Sequence, residues 1–221
     1  MSGRTIKAVA AAAVAAAALA GCGGGEMKVG SAALVGDERI AVSTLNGAVS
    51  DWQREFRADP MANRMRADPG SFGQGGTAEP LSETDLRRAL DLLVRFRIAD
   101  EVARRQNLPV SAGRVDQIVD DMNQSGGAAS TVRAVGLPAR YTRDVARLVA
   151  VELDLGKRFG GTDDPRSPQS MAAEARVDAV LTGTAGKMKI KINPRFGSFD
   201  PNRVSISPVT ARLSAPESGT R

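Results

Sequence analysis

Short apolar runs separated by polar residues open the chain's patterned part: Ala32-Ala33-Leu34-Val35, then Gly36-Asp37-Glu38-Arg39, then Ile40-Ala41-Val42. A polar, Gly-containing turn between two such runs predicts a small β-hairpin. From Ser43, read as an N-cap, the residues Leu45, Val49, Trp52 and Phe56 recur at helical spacing and form one apolar stripe. Residues 58–80 lose that period through Asp59-Pro60, Asp68-Pro69-Gly70, Gly73, Gly75-Gly76 and Glu79-Pro80, which predicts a long mobile loop.

Ser82 then opens the clearest helix, with Glu83 and Asp85 in its first turn and Leu81 placed to staple onto Leu86. Its stripe is Leu86, Leu90, Leu93, Val94, Ile98 and Val102, and it ends near Asn107. After Pro109 the same entry device recurs at Val110-Ser111, ahead of Val115, Ile118, Val119 and Met122. A short helix from about Ser130 to Val135 closes at Gly136, and Pro138 starts another with Tyr141, Val145, Leu148, Val149 and Leu155 on one side. Ser167-Pro168 reads as the N-cap and first residue of a last helix, with Val177, Val180 and Leu181 inward.

Beyond that helix the period falls to two. Met188, Ile190 and Ile192 alternate with Lys187, Lys189 and Lys191, the pattern of a strand with one buried and one wet face. One strand is not stable alone, so 188–192 is expected to cross the helices and pair with the hairpin at 32–42. The fold class is therefore mainly α, a multi-helix domain with a small β-sheet. Residues 200–221 hold little to bury and read as a disordered tail.

The first 21 residues change the picture from fold to location. Arg4 and Lys7 precede an uncharged stretch, Ala8 to Ala20, of thirteen residues. As a helix this reaches about 20 Å, short of the ~30 Å hydrocarbon core, so residues 1–21 read as a signal peptide and not as a membrane span. Leu19-Ala20-Gly21-Cys22 follows, and this quartet resembles the bacterial lipobox, in which the Cys receives a diacylglyceryl group and becomes the mature N-terminus. Residues 22–31 then read as a lipid-linked flexible tether through Gly23-Gly24-Gly25. The implied location is the outer face of the cell membrane.

Composition mainly excludes. The chain has no His and one Cys, which removes Ser-His-Asp and Cys-His nucleophiles, two-His zinc helices, disulfides and thiolate-rich metal sites. Without residues 1–21 the charge is 28 basic against 25 acidic, a net of +3, too mild for a nucleic-acid footprint. Asp120-Asp121 and Asp163-Asp164 read as solvated surface, and Gly73-Gln74-Gly75-Gly76 lacks the Lys-Ser/Thr of a phosphate loop. Arg87-Arg88, Arg95, Arg97 and Arg104-Arg105 interleave with Asp91, Asp100 and Glu101 as an ion-paired helix face. No catalytic residue, cofactor or metal is expected.

The segment Ala33-Leu34-Val35-Gly36-Asp37-Glu38-Arg39-Ile40-Ala41-Val42-Ser43 resembles the N-terminal hairpin of the SurA-type chaperone domain, of the form V-G-(D/N)-x-x-I-(T/A)-V-S. Ile192-Asn193-Pro194-Arg195-Phe196-Gly197 is similar to the N-P-R-(F/Y)-G segment after the last strand in actinobacterial lipoproteins of this group. The resemblance covers roughly residues 32–199. It implies a non-catalytic module that binds unfolded or partly folded exported polypeptides, the alternative being a scaffold lipoprotein that holds one envelope partner. The parvulin histidines of larger relatives have no counterpart, so isomerase activity is not implied. Candidate polypeptide-binding residues are Met61, Met65 and Phe72 in the loop, with Trp52 and Phe56 as core or, if exposed in a cleft, contact residues.

Overall fold

A computed structural model describes residues 27–67 and 82–208. Cys22 with Leu19, Ala20 and Gly21, as well as Phe72 and Leu81, lie outside the described residues.

Strands β1 (Ser31–Val35) and β2 (Glu38–Ala41) form the expected hairpin. The turn is only Gly36-Asp37, because Gly36 at φ +60° supplies the left-handed first position that a two-residue turn needs, leaving Glu38 and Arg39 free to pair. Helix α1 (Val42–Arg57) follows directly. Ser43 is not its cap: extended Ala41 precedes the helix and offers no side-chain bond. The stripe of Leu45, Val49, Trp52 and Phe56 is buried as the spacing predicts.

The loop expected over 58–80 gives way at its start to helix α2 (Pro60–Ala67). Asp59 caps it by accepting from the backbone N–H groups of Met61 and Ala62, both at 3.0 Å, and Pro60 supplies a first residue with preset φ. The Asp-Pro pair thus starts a helix instead of breaking one.

Helix α3 (Glu83–Arg105) is the axis of the molecule, packed on α1, on helices α6 (Thr142–Arg158) and α7 (Pro168–Ala185), and on β1. Ser82 caps α3 by accepting from the Asp85 N–H at 3.1 Å. Neighbours on several sides explain why Ala89, Phe96, Ala99 and Ala103 are buried in addition to the predicted stripe. Ser111 caps α4 (Ala112–Gln124) and Ser167 caps α7, as their spacing predicts. Between them lie α5 (Ala128–Val135) and α6, the latter entered through a short 3₁₀ turn at Ala139–Tyr141.

Strand β3 (Ile190–Ile192) closes the fold onto β1 in antiparallel register, Ala33 opposite Ile192, Leu34 opposite Lys191 and Val35 opposite Ile190. The sheet order is β2-β1-β3. Asn193 locks the junction, its backbone N–H donating to the Ala32 carbonyl at 2.9 Å and its side-chain amide to the Ser31 carbonyl at 3.0 Å.

The tail expected from residue 200 is instead structured to Ser207. Strands β4 (Ser198–Asp200) and β5 (Ser205–Ser207) pair antiparallel. Val204 and Ile206 are buried, and the Ile206 N–H donates to the Asp91 carboxylate of α3 at 2.8 Å. Two apolar side chains on so polar a stretch suffice because α3 offers them both a surface and an acceptor. The end of the expected tether is tied to the fold: the Ser31 N–H donates to the Lys28 carbonyl and the Val42 N–H to the Gly30 carbonyl.

Candidate functional site

The sequence-selected aromatic and methionine residues converge where α1, α2 and α5 meet. Trp52 and Phe56 follow each other by one helical turn, and their rings stack at 5.3 Å between centroids. The Trp52 indole N–H donates to the Arg133 carbonyl of α5 at 2.7 Å, pinning α1 to α5. Both aromatics are buried, so they are core and not open contact residues.

What covers them is Arg66 of α2, itself only 5 % exposed. Its guanidinium carbon sits 4.9 Å from the Trp52 ring centroid and 5.3 Å from that of Phe56. Asp85 at the start of α3 lies 3.8 Å from Nη2, while Nε and Nη1 have no hydrogen-bond partner among the described residues. Cation–π attraction and the longer-range ion pair together retain a charge that is costly to bury.

Charged groups frame this junction. Asp59 Oδ2 accepts from Ser130 Oγ and Arg133 Nη1, both at 2.8 Å. Glu55 Oε2 accepts from Arg133 Nε at 3.1 Å and from the Ala139 N–H at 2.8 Å. Partial burial pushes the Asp59 carboxyl up, but the Ala62 N–H, Ser130 and Arg133 outweigh it and bring the carboxyl below its ordinary value. Arg133 therefore ties both ends of the α1–α2 corner to α5.

Of the methionines, Met65 is half-buried, its methyl lying where a Cβ on Gly126 would come within 2.5 Å. Met61 is 37 % exposed and is the member of the predicted set that faces solvent among the described residues. Met171 and Leu153 are also exposed, at 55 % and 46 %. The sequence reading missed them because it followed the inward stripes, although Leu153 extends the Ala146–Ala150 face that packs with Val115 and Ile118.

The arginine-rich helix face is ion-paired in part: Arg97, Arg104 and Arg105 reach carboxylates, whereas Arg87, Arg88 and Arg95 form no ion pair among the described residues and Asp91 accepts instead from the Ile206 N–H. Arg104 Nη2 and Arg105 Nε reach Glu101 at 2.6 and 2.5 Å, and these two guanidinium groups hold its carboxyl down to about 2. Arg97 reaches across to Glu38 of β2 at 2.6 Å, and Arg147 of α6 to Asp100 at 2.6 Å. Asp120, Asp121, Asp163 and Asp164 are exposed. Asp91, expected on the solvated ion-paired face, and Glu152, which spacing did not single out, are both half-buried. Burial pushes up Asp91, against the Ile206 N–H and Arg95, and it pushes up Glu152, against Arg95 and with Asp178 and Glu174 adding to the rise. Among the described residues no group of three His, Cys, Asp or Glu side chains is placed to hold a metal ion, and no helix is long and apolar enough to cross a membrane. No protein-family model, curated protein or solved structure matches the chain.

Proposed function

We propose that this chain is a SurA-N-like holdase, a non-catalytic lipoprotein anchored through Cys22 on the outer face of the cell membrane, which binds unfolded exported polypeptides. The observation that carries the reading is the β1–β3 register, which joins the V-G-D-x-x-I hairpin to the strand before N-P-R-F-G around an all-helical middle. The step from fold to role is one of likeness, supported by the resemblance of both ends.

Client contact falls on Met61 with Met65 behind it, flexible side chains suited to varied apolar partners, and Phe72 remains a candidate from the sequence. Trp52 and Phe56 support this surface from beneath through Arg66. Few fixed polar contacts imply weak binding per site and low selectivity. A photo-crosslinking residue at Met61 should capture a chemically unfolded polypeptide, while the same residue at Asp120 should not. Equal capture at both would remove Met61 from the binding surface.

The alternative, a scaffold lipoprotein with one specific envelope partner, is favoured by the sparse apolar exposure. Among the described residues the exposed large apolar side chains are Val29, Met61, Leu153 and Met171.

A further inference from the structure

Cations gather around the three-stranded sheet. Several helix arginines are ion-paired: Arg97 with Glu38, Arg104 and Arg105 with Glu101, Arg114 with Asp154, Arg133 with Glu55 and Asp59, and Arg147 with Asp100. Lys28, Arg39, Lys187, Lys189 and Arg195 form no ion pair among the described residues, and all are exposed, as is Lys191.

The register gathers several of them on one face. Arg39 of β2 and Lys191 of β3 both lie directly opposite Leu34 of β1, and residues opposite each other in an antiparallel pair share a face. Lys189, two residues before Lys191, continues that face beside Gly36, whose N–H donates to its carbonyl. On the hairpin, Asp37 sits at the turn, while Glu38 points to the other face and is held by Arg97.

The same face is where the chain departs toward its N-terminus. The Arg39 guanidinium donates to the Val29 carbonyl at 2.9 Å, so residues 28–30 run beside the basic row. From Lys28 back to Cys22 is six residues, a reach of at most about 20 Å. A lipid on Cys22 would keep this face within that distance of the headgroups, from which the row can enter the ~8 Å range over which a charged surface acts at physiological salt.

We propose that the outer face of the β2-β1-β3 sheet, with Arg39, Lys189 and Lys191, docks on anionic lipid headgroups. This rests on the lipid anchor of the proposed function. Each Lys or Arg brought to an anionic surface strengthens attachment by roughly fivefold, so a row of such side chains is enough to orient a domain already tethered.

The test uses the mature protein carrying its own anchor, inserted from outside into preformed phosphatidylcholine vesicles with or without phosphatidylglycerol. Lysines are acylated with a membrane-impermeant reagent and site occupancy is read by mass spectrometry. The expected result is acylation of Lys189 slowed at least about threefold by phosphatidylglycerol, reversal in high salt, and no change at Lys157 on α6. Protein that floats with both vesicles but acylates equally in each overturns the docking face. Protein that neither floats nor carries a lipid mass on Cys22 overturns the anchor, and the proposal with it. Equal protection by soluble polyglutamate on phosphatidylcholine vesicles would overturn the lipid assignment in favour of an acidic polypeptide.

Discussion

Ile206→Ala probes the C-terminal hairpin, which the sequence pattern hid. Ile206 is 7 % exposed, packs on α3 and keeps its backbone bond to Asp91 whatever its side chain. The substitution removes three buried carbons, worth about 2.4 kcal/mol at ~0.8 kcal/mol per methylene. The cavity left behind adds to this, while the site's position at the domain edge lets neighbours relax into it, so the expected loss is about 2–3 kcal/mol. Urea unfolding followed by fluorescence of Trp52, the single Trp and a buried one, would report the change. With a slope of ~1–3 kcal/mol/M, the midpoint should fall by about 1 M. Ile206→Val should cost about a third as much. A loss below ~0.5 kcal/mol, the size expected for an exposed side chain in an unstructured tail, would refute the packing of β5 on α3.

The same hairpin requires Gly197, which has φ +128° and a position where a Cβ would strike the Ser207 carbonyl oxygen. Gly197→Ala should destabilise by about 2 kcal/mol or more in the urea assay, because the obstacle is backbone. Burial raises the carboxyls of Asp91 and Glu152, so each binds its proton more tightly folded than unfolded. The stability they contribute is complete below the unfolded pKa and is lost as pH rises through the folded one. Asp91→Asn, which keeps an acceptor for the Ile206 N–H, and Glu152→Gln should therefore raise the urea midpoint at pH 7, the advantage vanishing as pH falls toward about 4. A midpoint that drops at pH 7 would reverse that sign. Ser82→Ala should cost about 1 kcal/mol through loss of the α3 cap, read as a lower thermal midpoint, and Ser82→Thr, which keeps the hydroxyl that accepts from the Asp85 N–H and donates to its carboxylate, should retain most of the wild-type stability.

What the sequence made legible were features with one physical solution. Ser82, Ser111 and Ser167 each stand before a stripe and can do little there but cap. The 188–192 alternation had to find a partner, and the 32–42 hairpin was the one partner the pattern offered. Features with two solutions were misread. Asp59-Pro60 is equally a stop and a start, and α2 buries only Ala62 and Arg66, too few for a stripe. The strands β4 and β5 are three residues each, below the length at which alternation registers. Their core contribution depends on α3 residues more than a hundred positions away.

The candidate site divides along the same line. The period of Trp52 and Phe56 identified them as a buried stripe, while their covering by Arg66 did not show, because an arginine in a short polar helix reads as solvated. The exposure of Met61 against the insertion of Met65 toward Gly126 depends on where α2 docks, which the pattern of α2 itself does not contain.

The role itself is tested most directly by dilution of two unrelated, chemically unfolded polypeptides into buffer containing the chain from Gly23 onward, with light scattering followed over time. The holdase account predicts suppressed aggregation of both at near-stoichiometric ratio. Unchanged scattering for both would contradict it and leave the scaffold reading.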